Sequence, residues 1–394
     1  LENDERRAVR NLNLRQVVAI AVVALGVVGL AACGGGSSSS STTGAESTEA
    51  PAKSTTTSEV AAESVPAPPE SPPTEVPITT PLKAKPPTGK KVVFLQCELP
   101  ACQRYVKGLD DASKALGWSL EKLVFKSEDP ASGMQEAISK KPDYIAITGV
   151  PTSVMKPQMA EAAKAGIPVI SCASPEKPEP NGFAAQCGGS LVRMAEYTGA
   201  WMINDSGGEA HVLGVTIPIY PVLNSETDWF KGKFTELCPK CTYEELGITT
   251  EHLGAGTVPQ EVVGYLQTHP EINYVYNTFG GTPGMPAALN PAGFGDVKLT
   301  GGPGEEATIQ EIAKGEQTAW TTNGNEYDAW VMFDAMARLA NGEEITKEYE
   351  ETIYVDPTWV IASPASAESL KKYGWSWPGP GNFQEQFEEL WKVK

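Results

Sequence analysis

The stretch that decides the fold is PDYIAITGVPTSVMKPQMAEAAKAGIPVIS, residues Pro142–Ser171. Tyr144–Val150 is a short run rich in β-branched residues, and Thr152–Ala165 carries apolar residues at helical spacing. Gly166 stands where a helix C-cap belongs, and Ile167–Ser171 is a second apolar run. Strand, helix, glycine stop and strand within about 30 residues make a βαβ unit. Its strands pair in parallel and are covered on both faces. Sheets of this kind bind ligands beyond the carboxyl ends of their strands. The loop Thr148–Ser153 and the turn Ser171–Ser174 are therefore the first candidates for function.

Outward from this unit the alternation continues. Upstream, the pattern predicts strands at Lys90–Gln96 and Ser119–Phe125, with helices at Tyr105–Leu116 and Met134–Lys140. Downstream, Arg193–Ile203 reads as a helix, and strands at His211–Ile217, Glu244–Ile248, Ile272–Tyr276, Val297–Thr300 and Gln317–Thr322 alternate with further helices. Glu326–Ala340 is a long helix closed by Asn341-Gly342, and Phe383–Trp391 a last one. Strands alternating with helices twice over predict an α/β protein of two doubly wound parallel-sheet lobes.

Composition narrows the function. The 394 residues carry a formal charge of −18, and such an excess of carboxylates repels phosphate backbones, which argues against nucleic-acid binding. Three histidines leave little for acid–base or metal chemistry. No G-x-S-x-G, no P-loop Gly-Lys-Ser/Thr and no H-E-x-x-H occurs. The Gly-rich loops at Gly280–Gly284 and Gly301–Gly304 lack the lysine of a phosphate cradle. The expectation is a protein that is not an enzyme and needs neither cofactor nor metal.

The beginning of the chain reads as an export signal. Arg6, Arg7, Arg10 and Arg15 precede the uncharged run Val17–Ala32, and Leu30-Ala31-Ala32-Cys33 resembles a bacterial lipobox. The resemblance implies cleavage before Cys33 and two acyl chains at that residue, a stable membrane anchor. Residues 34–88 are almost entirely Ser, Thr, Pro, Ala, Gly and Glu without an aromatic residue, the composition of a disordered tether. Export makes disulfides the expected state of the remaining cysteines, which fall into neighbouring pairs: Cys97 and Cys102, Cys172 and Cys187, Cys238 and Cys241.

Taken in order, the motifs resemble the type I periplasmic binding proteins, the ribose-type solute receptors of ABC importers. Pro142–Ser171 matches their "D-x-I-I … A-x-x-A-G-I-P-V-I" pattern, and Leu266–Ile272 their "L-x-x-H-P-x-I" step. Gly315-Glu316, the strand Thr318–Thr322 and the Tyr327–Ala340 helix complete the series. The resemblance implies two lobes joined by three crossovers, near Gln186, Asn323 and Glu351, closing on a solute. It divides the chain into a leader (1–32), the acylated Cys33 with its tether (33–88), an N-terminal lobe (89–186 and 324–351) and a C-terminal lobe (187–323 and 352–394). It further implies a monomer on the outer face of the cytoplasmic membrane, with a small-molecule ligand and an ABC permease as partners. A receptor of the same fold that signals to a membrane sensor is the alternative.

At the positions where sugar receptors hold hydroxyls with Asp, Arg and Asn, this sequence departs from them. Leu99-Pro100-Ala101-Cys102 replaces an Asn-Pro-Phe-Phe step, and Ala173, Thr278-Phe279 and Pro303 stand where acids and amides are expected. The candidate ligand residues become Gln96, Thr148, Thr278, Phe279, Asn323 and Trp229, a neutral and ring-rich set. It fits a weakly polar aromatic or steroid-like compound as well as a sugar or sugar derivative.

Overall fold

The computed structural model describes residues 65–394 apart from 99, 175, 189 and 281–283. The leader and Cys33 lie outside the described residues. The βαβ unit is present, with strands Tyr144–Thr148 and Val169–Cys172 paired in parallel around the helix Lys156–Lys164. In chain order the first lobe contributes β1 (Lys91–Cys97), β2 (Ser119–Phe125), β3 (Tyr144–Thr148), β4 (Val169–Cys172) and β5 (Ala185–Cys187). The second contributes β6 (His211–Thr216), β7 (Thr242–Gly247), β8 (Tyr274–Asn277), β9 (Lys298–Gly301), β10 (Ala319–Asn323) and β11 (Thr358–Ile361).

The first sheet runs β2-β1-β3-β4-β5, all parallel. The second repeats that order as β7-β6-β8-β9-β10 and adds β11, antiparallel, at its edge. Strand alternation sends successive residues to opposite faces. In β1, Val92 and Phe94 join one core layer while Val93, Leu95 and Cys97 join the other. In β6, Val212 and Leu213 likewise fall into separate layers.

Two parts of the expected division need correction. Residues 65–88 form an extended strap rather than a disordered tether: Val76, Ile78 and Leu82 are buried in the first lobe's core. The strap's backbone is tied along its length. Pro69 O accepts from Val360 N at 2.8 Å, Leu82 N donates to Leu390 O at 2.9 Å, and Pro87 O accepts from the Trp118 indole at 2.8 Å. A polar, proline-rich segment cannot build a core, but three well-spaced apolar residues suffice to dock on someone else's. The other correction concerns the C-terminus: Phe383, Phe387 and Trp391 pack in the first lobe's core, not the second's. The Trp391 indole stacks on Trp330 and donates to Asp334 at 2.8 Å, a buried polar bond that fixes the helix there. Asp334 also accepts from Arg338 and Tyr349, and Arg338 donates to the strap at Thr80 O, 2.7 Å away.

The crossings between lobes converge on one polar cluster. The chain leaves the first lobe after β5, returns between Asn323 and the helix Asn325–Ala340, and leaves again after the helix Lys347–Tyr354, three residues beyond Glu351. The Asn323 amide donates to Asp328 at 3.1 Å and to Asp356 at 3.0 Å, and all three side chains are buried. The sulfurs of Cys172 and Cys187 rest against the Asp328 carbonyl. Burial, reinforced by the neighbouring Asp356 carboxyl, holds the Asp328 carboxyl well above the ordinary range, against the opposing pull of Asn323 and Arg104.

The strap and the polar cluster each have a measurable consequence. Removing the strap exposes apolar surface worth about 1.5–3 kcal/mol per fully buried side chain. A chain starting at Gly89 should melt lower than one starting at Val65 by at least about 5 °C; equal melting would deny the strap a structural role. The second concerns pH. A carboxyl whose folded pKa is raised favours folding at low pH, and that contribution is lost as pH rises from about 4 through the folded value. Asp328→Asn carries no such charge. Relative to wild type it should gain thermal stability between pH 5 and pH 8, and a constant difference would contradict the raised Asp328 carboxyl.

Candidate functional site

Between the two sheets lies a cavity of about 380 Å³, within the range of small-molecule sites. Its walls come from the carboxyl ends of strands in both lobes: Cys97, Thr148 and Asn323 end β1, β3 and β10, while Ala173, Ile217 and Thr278 directly follow β4, β6 and β8. Both sheets reverse their strand order beside their first strand, and that switch point is where such sheets leave an open crevice. The loop from Thr148 to Pro151 and the turn at Ala173, singled out from the sequence, both line it. Ala173 holds a left-handed backbone with φ of 54°, a conformation costly for a residue with a Cβ and often kept at ligand sites.

Four of the six candidate ligand residues meet here: Thr148, Thr278, Phe279 and Asn323. Gln96 does not. It is one residue short of the end of β1, and alternation turns it to the face opposite Cys97, which lines the cavity. Trp229 does not either. Its ring lies against Gly199 of the helix Ser190–Asp205, where an added Cβ would come within 2.4 Å of it, and it packs edge-on to Phe230. Phe230 and Trp320 are fully buried core residues.

Three of the four carry polar side chains, and most of those polar atoms are already engaged. The Thr148 hydroxyl contacts Cys102 Sγ at 3.6 Å, and the Thr278 hydroxyl donates to Val215 O at 3.3 Å. The Asn323 amide nitrogen is held by the two buried carboxyls, and its Oδ1 has no partner among the described residues. Ser127 of the first lobe and Tyr220 of the second face each other, and neither hydroxyl makes a well-formed hydrogen bond among the described residues. The rest of the wall is largely hydrocarbon, including Phe125, Val150, Leu191, Met194, Ile217 and Val222.

One charged residue escaped the sequence reading. Arg104, on the turn before the helix Val106–Leu116, lines the cavity, and its Nε is shut off from solvent with no partner among the described residues. Burial lowers its pKa, an effect opposed by Glu305 and Asp328. Its signal in the sequence was position alone, two residues beyond Cys102 in the loop after the first strand. The cysteine pairs are each brought together, with Cα–Cα distances of 5.6, 4.5 and 5.2 Å in chain order, all within disulfide range. Among the described residues no group of His, Cys, Asp and Glu forms a metal site.

Comparison with known proteins agrees with this geometry. The model of the periplasmic binding protein domain matches residues 100–344, well over half of the chain. No curated protein matches the chain by sequence. Among solved structures, a sugar ABC transporter protein from Yersinia enterocolitica superposes with a TM-score of 0.64 at 15% identity, over 79% of this chain and 99% of that one. An ABC transporter solute-binding protein from Mycobacterium smegmatis with bound glycerol gives 0.60 at 21% identity, over 72% and 96%. A carbohydrate transporter from Acidothermus cellulolyticus in complex with myo-inositol gives 0.61 at 18%, over 73% and 98%. At these identities the structures speak for the fold. The match to the domain model carries membership: the chain belongs to the periplasmic binding protein family, with the type I arrangement of two lobes about a cleft, and is a binding protein rather than an enzyme.

Proposed function

We propose that the protein is the extracytoplasmic receptor of an ABC importer, held to the outer face of the cytoplasmic membrane by an acylated Cys33. It captures a small organic solute between its lobes and hands it to the permease as a monomer. The cysteine pairs are disulfides in this setting, and the strap leaves residues 34–64 as the spacer from the membrane. The observation that carries the reading is the cleft itself: a cavity of about 380 Å³ walled by the strand ends of two separate sheets.

The nature of that wall selects among solutes. A polyol needs many buried hydrogen-bond partners, and each one left unmet costs on the order of 1–3 kcal/mol. Here the hydroxyls of Thr148 and Thr278 and the amide nitrogen of Asn323 are spent within the protein. A weakly polar, ring-bearing compound therefore fits better than a simple hexose or pentose. A sugar derivative is the second reading, favoured by the glycerol and myo-inositol held by the structural relatives.

A thermal-shift panel of simple sugars, polyols and ring-bearing weakly polar compounds tests this choice. A ligand at 100 times its Kd adds about 2.7 kcal/mol of stability. The expected result is a raised melting temperature with ring-bearing compounds, accompanied by a smaller radius of gyration in solution scattering as the lobes close. Stabilisation by simple sugars alone would reverse the solute assignment. Tight binding without compaction would refute capture by closure.

A further inference from the structure

We propose that Arg104 is the specificity-determining residue of the cleft and that it receives the carboxylate of an amphipathic organic acid. The inference rests on the cleft being the solute site, and it adds the class of solute.

Arg104 is the one cationic side chain lining the cavity among the described residues. Arg104 is half-buried with its Nε shut off from solvent, and a guanidinium drawn out of water is costly unless it is paired and hydrogen-bonded. Within the protein Arg104 has neither: no carboxylate stands within ion-pair distance among the described residues, and its Nε has no acceptor. Arg338, for comparison, is saturated by Asp334, Glu343 and Thr80.

The charge around Arg104 is partly balanced from a distance. Glu305, on the second lobe, acts on it electrostatically without reaching it, as does Asp328 at the hinge. Glu128 and Asp129 also line the cavity but are exposed to water, and Asp129 is occupied in capping the helix Pro130–Ser139. These acids penalise a dianion such as a phosphate more than a single carboxylate. The planar fork of arginine matches one carboxylate with two parallel hydrogen bonds. The hydrocarbon wall that faces the remaining volume receives the body of the molecule.

The test uses calorimetric titration of the soluble protein with benzoate, 2-naphthoate and cholate, each set against its own primary amide. At least one acid should bind, and its amide should bind about 100-fold more weakly. Arg104→Gln should remove the preference for acid over amide, Arg104→Lys should restore part of it, and Glu305→Gln should tighten the acid. Equal binding of acid by wild type and Arg104→Gln overturns the proposal, as does failure of every acid to bind. If neutral compounds then bind in the cleft regardless of residue 104, the receptor reading survives alone. If neither neutral compounds nor acids bind, both fall.

Discussion

The Asn323 amide, clasped between the carboxyls of Asp328 and Asp356, is the constraint on which the two-lobed arrangement depends. Two acids buried side by side cannot both ionise cheaply, and the amide gives them a shared donor at the point where the chain passes between lobes. The backbone there is equally confined. An added Cβ at Gly324 would come within 2.6 Å of Gly379, where the C-terminal segment crosses back. Movement between the lobes must then pass through a few residues around this cluster, while each sheet with its helices moves as a packed body.

That hinge also borders the cleft, because Asn323 and Asn325 line the cavity. The solute would thus lie against the groups that set the angle between the lobes. The cleft combines a hydrocarbon wall with few uncommitted polar atoms, among them Arg104 Nε, Asn323 Oδ1 and the Ser127 and Tyr220 hydroxyls. Such a site discriminates by shape over most of its surface and by charge at one place. Polar groups already bonded within the protein contribute rigidity rather than affinity, which is why Thr148 and Thr278 mark the site better than they explain it.

Much of the architecture was legible because parallel sheets write themselves plainly. Buried strands such as Tyr144–Thr148 and Val169–Cys172 are continuous apolar runs, and glycine ends the segment between them. Short elements lacked that signal. β5 is only Ala185–Cys187, and β11 becomes a strand through pairing with β10. The strap was hidden because its three anchoring residues are diluted among prolines and threonines. In the site, positions after strand ends were legible, since topology fixes them. Orientation was not: Gln96 misses the cleft by one step of alternation, and Trp229 finds a glycine groove on a neighbouring helix. Arg104 has no motif of its own and is recognised only when its place in the cavity wall is seen.

The cleft is read as closing on an apolar-bodied acid. The most direct measurement is native mass spectrometry of the protein purified from its source without refolding, followed by identification of the small molecule released on denaturation. A single copy of a ring-bearing carboxylic acid is expected. A neutral polyol or simple sugar recovered in that stoichiometry would contradict it.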